Sequence, residues 1–296
     1  MGNKLPYLSL NHYLKQKFGE RVQKIPLDAG LSCPNRDGSK GRTGCIYCDP
    51  KGSGTGLAAK GMSVSEQMHQ GIEWAKKRYN ARKFIAYFQS FSNTYGPLEL
   101  LERLYLQSLQ GPEVVGVAIG TRPDCIDRER LKLIAKIFKD KMIWIELGLQ
   151  SANNHTLNLI NRGHTVEQFE KAVHLIKEFN FSICAHVIFG LPEETKQDME
   201  ETINYINSLP IDGIKFHQLY ILENVPIFRL YQKGQIKPMS QTEYANMVAW
   251  AIKQLRPNMV IQRLTGDPPR HGLAAPVWSR EKHKTIELIH EFLNKN

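Results

Sequence analysis

Short apolar runs alternate with amphipathic stretches along nearly the whole chain, which predicts repeated β/α units around a parallel sheet. Six runs rich in β-branched and aromatic residues, bounded by Gly, Pro or Asn, predict strands: VQKIPL (22–27), KFIAYFQ (83–89), VVGVAIG (114–120), MIWIELGLQ (142–150), SICAHVIFG (182–190) and IKFHQLYIL (214–222). Between them, Val64, Met68, Ile72, Ala75 and Tyr79 recur at spacings of three and four over 63–79. Val166, Phe169, Val173 and Ile176 do the same over 165–180, so both segments predict helices with one apolar stripe turned to the core. Right-handed crossovers leave an open doubly wound sheet or a barrel-like curl of about six strands. The expected fold is α/β, a partial (β/α)6 TIM-like barrel over 1–225, with 226–296 as a small C-terminal extension covering the barrel mouth. That extension reads as a helix around 241–255, a strand MVIQRLT (259–265), a Pro- and Gly-rich stretch to 276 and a last helix from about 279.

Composition narrows the class. With 296 residues, 42% of them hydrophobic, the chain can bury a sizeable core. Its opening residues lack the apolar stretch of a secretory signal, and no run approaches the roughly 18 apolar residues of a membrane span, so a cytoplasmic protein with no membrane partner is expected. Five cysteines, an odd number, argue against a disulfide framework and for reduced thiols. A net charge of +10 raises the expectation of a polyanionic partner, most naturally RNA, although the same surplus also serves solubility. The KKR run at 76–78 with Arg82 and Lys83, and Arg263 with Arg270 and His271, are candidate patches.

The candidate chemistry begins in one glycine-rich loop, CPNRDGSKGRTGCIYC, which holds Cys33, Cys45 and Cys48. Three thiols without a fourth suit a [4Fe–4S] cube with one iron left open to a small molecule, whereas a structural zinc would need Asp49 or a histidine as its fourth ligand. In a barrel, chemistry gathers at the C-terminal ends of the strands. Gln89 and Ser90 end the second predicted strand, Thr121 and Arg122 follow the third, Gln150 ends the fourth, and His186 lies near the end of the fifth, before Gly190. Duller readings stand beside these. His186 on an apolar strand also reads as a satisfied core histidine, and Arg162 before Gly163 also reads as a cation at a helix C-terminus. Cys125 and Cys184 read as buried apolar thiols, and His155, His164 and His174 as structural. No GxGxxG stands in a strand-to-helix setting, which disfavours a nicotinamide enzyme.

At these residues the chain resembles the radical S-adenosylmethionine (SAM) enzymes over roughly 20–225. Cys33-x11-Cys45-x2-Cys48, with the aromatic Tyr47 before the last cysteine, resembles the family's cluster motif in the long-spaced form of the Elongator catalytic subunit. ELGLQS (146–151), NRGHT (161–165), FGLPEET (189–195) and TRPD (121–124) are similar to that branch and to the oxygen-independent coproporphyrinogen oxidases. A likeness over nearly the full length is to the MnmL-type proteins, associated with the 5-substituent of tRNA wobble uridine. The resemblance implies a [4Fe–4S] cluster on Cys33, Cys45 and Cys48, with SAM on its open iron, reductive SAM cleavage to a 5′-deoxyadenosyl radical, tRNA as substrate, and a reducing protein such as flavodoxin or ferredoxin. It further implies that Tyr47, Gln89, Ser90, Gln150, Arg162, His186 and Gly190 bind SAM. Two positions depart from the family: His186 stands where some relatives have aspartate, and Gly120 where relatives have glutamate before TRPD.

Overall fold

The computed structural model describes residues 5–52 and 54–295. In chain order its elements are α1 (Leu10–Phe18), β1 (Val22–Leu27), α2 (Val64–Tyr79), β2 (Lys83–Phe88), α3 (Leu98–Leu106), β3 (Val114–Thr121), α4 (Arg128–Ile137), β4 (Met142–Gln150), α5 (Asn154–Leu159), α6 (Val166–Lys177), β5 (Ser182–Phe189), α7 (Lys196–Ser208), β6 (Gly213–Gln218), β7 (Ile221–Leu222), α8 (Ile227–Gln232), α9 (Gln241–Gln254), β8 (Val260–Arg263), β9 (Leu273–Ala275) and α10 (Lys282–Asn294). Seven strands form one wholly parallel sheet in the order β1-β2-β3-β4-β5-β6-β8, curled into a half-barrel. This is the expected partial barrel, extended by a seventh strand drawn from the C-terminal segment.

Side-chain alternation sorts the strands into an outer and an inner face. Phe84, Ala86, Phe88, Val117, Ile119, Ile145, Leu147, Ile183, Ala185, Val187 and Phe216 are fully or almost fully buried among the helices. Each of the Val, Leu, Ile and Phe side chains among them contributes about 1.5–3 kcal/mol on leaving water. Helix α2 lies so close to β1 that a Cβ on Gly71 would stand 2.2 Å from Ile25 Cγ2. The inner face begins with an apolar layer of Val22, Ile85, Ala118, Trp144, Cys184 and Val260, plugged by Leu14 of α1. Helix α1 also bridges the two edge strands, because Ile261 N donates to Leu8 O at 2.8 Å and Ser9 pairs with Ile261.

The helices start where their capping chemistry places them. Ser63, Thr165, Thr195 and Ser240 each accept from the backbone three residues on, and Glu66, Gln168, Asp198 and Glu243 reach back. The predicted strand over 214–222 is broken in the structure. Strand β6 ends at Gln218, and Ile221–Leu222 leaves the sheet to pair antiparallel with β9, because Leu219 N has closed the last parallel link on Phe189 O at 2.9 Å. Among the described residues no helix is long and apolar enough to cross a membrane.

Candidate functional site

At the C-terminal rim of the half-barrel lies a cavity of about 510 Å³, lined by the cysteine loop on one side and by strand ends on the other. Between β1 and α2 the chain runs through a long connection whose order comes from tight turns. Arg36 N donates to Cys33 O (2.8 Å), Cys48 N to Cys45 O (3.0 Å) and Gly44 N to Asn35 O (2.8 Å). Asn35, fully buried, staples this loop to the turn after α5: its Nδ2 donates to Asn161 O (2.7 Å) and Arg162 O (3.0 Å), and Asn161 Nδ2 returns a bond to Gly44 O (2.7 Å). Gly163 has φ +71° and no room for a Cβ, which would stand 2.4 Å from Asn35 Oδ1.

All three predicted cysteines face the cavity, Cys45 buried and Cys33 and Cys48 half-buried. Two buried arginines meet them: Arg162 Nη1 stands 3.7 Å from Cys45 Sγ, and Arg122 Nη1 stands 4.0 Å from Cys33 Sγ. Arg122 is itself held by a two-point fork on Asp124 (2.9 and 3.0 Å), which also receives Lys40 (2.6 Å). Burial, with Cys45 beside it, pushes the Cys48 thiol up to about 11, so a metal that binds there must displace its proton. Among the described residues no three His, Cys, Asp or Glu side chains group as ligands of a single ion. All three thiols line one cavity, and a set of three thiolates fits a [4Fe–4S] cube that keeps one iron open.

The other predicted residues divide. Tyr47, Gln89, Gln150, Arg162 and His186 all line the cavity. Gln150 sits past a bulge in the β4–β5 ladder with φ +78°, a strained conformation for a side chain other than glycine, and Arg162 Nη2 donates to Gly148 O at 2.7 Å. A Cβ on Gly148 would lie 2.6 Å from both Arg162 Nη2 and Gln150 Nε2, so the bare glycine is what lets the two side chains converge. Arg162 is therefore more than a cation at the end of a helix. His164 lies behind them, its Nε2 3.0 Å from the same carbonyl, and burial together with Arg162 lowers it to about 3.

Ser90 and Gly190 are not on the wall. Ser90 is buried beneath Gly54, whose Cβ would stand 1.6 Å from Ser90 Oγ, and Gly190 packs on Met239, where a Cβ would stand 2.9 Å from Met239 Cγ. Gly120 does line the cavity, and its carbonyl takes both the backbone N (3.0 Å) and Nδ2 (2.9 Å) of Asn93. The two basic groupings lie at opposite ends of the barrel. Lys76, Lys77 and Arg78 close α2 beside the start of β2, whereas Arg263 lines the cavity at the end of β8.

Sequence patterning missed a charged layer under the rim. Glu146, wholly buried, accepts from Lys24 Nζ (2.6 Å), from Lys215 Nζ and from His186 Nε2 (3.0 Å). Lys215 Nζ also contacts Tyr87 Oη at 3.0 Å and lies 4.4 Å from that ring's centre. Burial raises the cost of every charge here, yet the two lysines hold the Glu146 carboxyl well below its ordinary range. His186 is lowered to about 4 by burial, so it donates to Glu146 as a neutral ring. The available signal was a Lys or Glu at an inward position of an otherwise apolar strand.

Comparison with known proteins agrees with this geometry. Residues 36–206 match the profile of the Radical SAM superfamily, and residues 211–295 match that of the Radical_SAM C-terminal domain. The YtqA protein of Bacillus subtilis is 34% identical over 287 residues, spanning 97% of this chain and 89% of YtqA. A tRNA uridine(34) acetyltransferase of Methanocaldococcus infernus is 27% identical over 186 residues, 61% of this chain and 33% of that enzyme. Among solved structures, the archaeal Elp3 of Methanocaldococcus infernus superposes with a TM-score of 0.71 at 18% identity, covering 90% of this chain and 62% of Elp3, which establishes a shared fold.

Proposed function

Because this chain belongs to the radical SAM superfamily, we propose that Cys33, Cys45 and Cys48 hold a [4Fe–4S] cluster, that Tyr47, Gln89, Gln150 and Arg162 hold SAM beside it, and that the enzyme alters the side chain of wobble uridine in tRNA. The family implies both SAM and the cluster. When bound, the cluster supplies the single electron that cleaves SAM reductively and so opens hydrogen-atom abstraction from an unactivated C–H bond. The chain's own residues bind, orient and screen. Arg122 and Arg162 place positive charge within 4.0 Å of two of the sulfurs, charge that would offset that of a thiolate-ligated cluster. Asn35 fixes the cysteine loop against the Arg162 turn, so the thiols and the SAM-holding side chains keep one spacing. A forked guanidinium at Arg162 suits a carboxylate of SAM.

The observation that carries the reading is three thiols, two buried arginines and the glutamines Gln89 and Gln150 on one cavity at the rim of a parallel half-barrel. The uridine assignment rests on the acetyltransferase likeness and the basic surplus, with Arg42, Lys51 and Arg270 exposed in the segments that carry the lining residues Gly44, Gly52 and Pro269. Anaerobic reconstitution tests the chemistry: iron and sulfide in cluster stoichiometry with release of 5′-deoxyadenosine under dithionite are expected, and one zinc with inert SAM would refute it. Nucleoside analysis of total tRNA with and without the gene tests the substrate. Unchanged wobble nucleosides would sink that part alone.

A further inference from the structure

The KKR run lies at the end of the barrel away from the cavity, where it belongs to a larger feature. At this closed pole, where the strands begin, Lys77 and Arg78 end α2, and Arg21 and Arg82 each stand one residue before the register pair Val22–Lys83. Lys17 of α1, with Lys139 and Lys141 ahead of β4, lines a cleft of about 330 Å³ on the same pole. All seven are exposed except the half-buried Lys141, and among the described residues none has an ion pair or a side-chain hydrogen bond. Nearby carboxylates are already taken: Glu20 by Lys83 at 3.1 Å, and Glu73 and Glu113 by Lys76 at 3.2 and 3.6 Å. Within the same segments Asp140 alone is an unpaired acid, so six positive charges are in excess. The C-termini of α1, α2 and α4 point to this pole and offer about half a negative charge each, which offsets roughly a quarter of that excess. The remainder is a large share of the chain's net +10, and like charges gathered on one face repel unless a polyanion meets them.

We infer that the closed pole is a second RNA-binding surface, which holds single-stranded phosphates along this cationic track and stacks one base on Trp74. The spread of the charges selects a polymer over a small anion, since they run across the starts of β1, β2 and β4, up to about 14 Å at one strand spacing after another. An aromatic pair selects RNA over an acidic protein. Trp74 is 55% exposed on α2, and Tyr79 meets its ring edge-on at 5.1 Å. Tyr79 in turn carries the guanidinium of Arg21 at 4.6 Å and that of Arg78 at 5.5 Å from its ring centre. An open indole beside guanidinium groups offers a base its stacking face and the adjoining phosphates their counter-charge. The choice of RNA over single-stranded DNA rests on the uridine reading. Because the pole faces away from the cavity, it takes a segment other than the one that reacts and tethers the RNA to the enzyme.

Fluorescence anisotropy with a labelled oligouridylate about twenty nucleotides long tests the surface, with polyglutamate of similar length as the acidic-protein control. Between about 50 and 200 mM KCl, log Kd should rise with log salt at a slope of roughly 4 to 5, as six or seven single-strand phosphate contacts require. Combining Arg21→Gln, Lys77→Gln, Arg78→Gln and Arg82→Gln should lower that slope by about 3. Trp74→Leu should weaken RNA binding about fivefold, leave the slope unchanged and leave polyglutamate unaffected. Circular dichroism checks folding, and Arg82→Gln alone, expected to lower the slope by about 0.7, serves where the fourfold variant does not fold. No binding of the oligouridylate, a slope that ignores the substitutions, an affinity indifferent to Trp74, or equal affinity for polyglutamate would overturn the surface. Release of 5′-deoxyadenosine under dithionite should be the same in all these proteins, because none of the substituted residues lines the cavity. Its absence from the wild type would count against the cavity's chemistry and not against this pole.

Discussion

Replacing Glu146 by Gln removes one negative charge and almost no volume from the barrel interior. The carboxylate holds Lys24 at 2.6 Å and also receives Lys215 and His186, with its own side chain wholly inaccessible to solvent. At an effective dielectric of about 20, a unit pair near 3 Å attracts by roughly 5 kcal/mol before desolvation is counted. Desolvation consumes much of that in the intact network, but removing one partner leaves the other ions buried and unpaired. The expected loss is about 3–5 kcal/mol. Two buried lysines stand to be orphaned, which places Glu146→Gln toward the upper end, a large part of the roughly 5–15 kcal/mol by which a domain is stable. Urea unfolding of the apoprotein, followed by the fluorescence of buried Trp144, reads this directly. The cause is checked by pH. Lys24 and Lys215 have folded pKa values lowered by burial, so their penalty is fully present below those values and is relieved as pH rises toward the unfolded value of 10.5. The deficit of Glu146→Gln should therefore shrink at about pH 9.5 relative to neutrality. A companion variant with Met at 24, 146 and 215 should recover at least half of the loss, because an apolar trio leaves no ion stranded. A loss below about 1 kcal/mol, a deficit indifferent to pH, or a triple variant no better than the single one would refute the account.

Other outcomes follow from the same contacts. Gly148→Ala should weaken SAM binding about tenfold with little change in stability, because a Cβ 2.6 Å from Arg162 Nη2 and Gln150 Nε2 displaces two polar ends and no core packing; calorimetry with SAM measures it. Asn35→Ala should cost about 1–3 kcal/mol and speed amide exchange in the cysteine loop, since it strips the bonds to Asn161 O and Arg162 O. Burial raises Glu194 to about 7, so its unfavourable contribution is absent at low pH and grows as pH climbs from the unfolded value of 4.5 through the folded one. Glu194→Gln should thus stabilise the protein by about 2 kcal/mol at pH 8 and by almost nothing at about pH 4, as thermal melts at both pH values would show.

Much of the frame was legible because a parallel strand buried on both faces announces itself as a continuous apolar run, and the six predicted strands appear within a residue or two in all but one case. The exception, 214–222, shows the limit of that signal: apolar residues continue through Leu219 and Tyr220 although the chain has already left the sheet. The cysteines and the two glutamines were readable because strand ends and one loop must share a rim. What patterning could not give was the direction of each side chain. Lys24, Glu146 and Lys215 sit in different strands, far apart in sequence, and only the curl of the sheet turns them toward one another. The same limit explains Ser90, adjacent to Gln89 yet covered by Gly54, and the KKR run, whose charges are real but lie at the wrong end of the barrel.

The seam between the first and last strands carries a practical consequence. No ladder joins β1 to β8; the short N-terminal helix, a Leu8–Ile261 hydrogen bond and the Lys24–Gln262 contact at 2.7 Å span the gap. Trimming that helix would bare two unpaired sheet margins at once, each a template for intermolecular pairing. Truncated preparations would then be lost to aggregation rather than to any defect in chemistry, and purification tags belong at the opposite terminus.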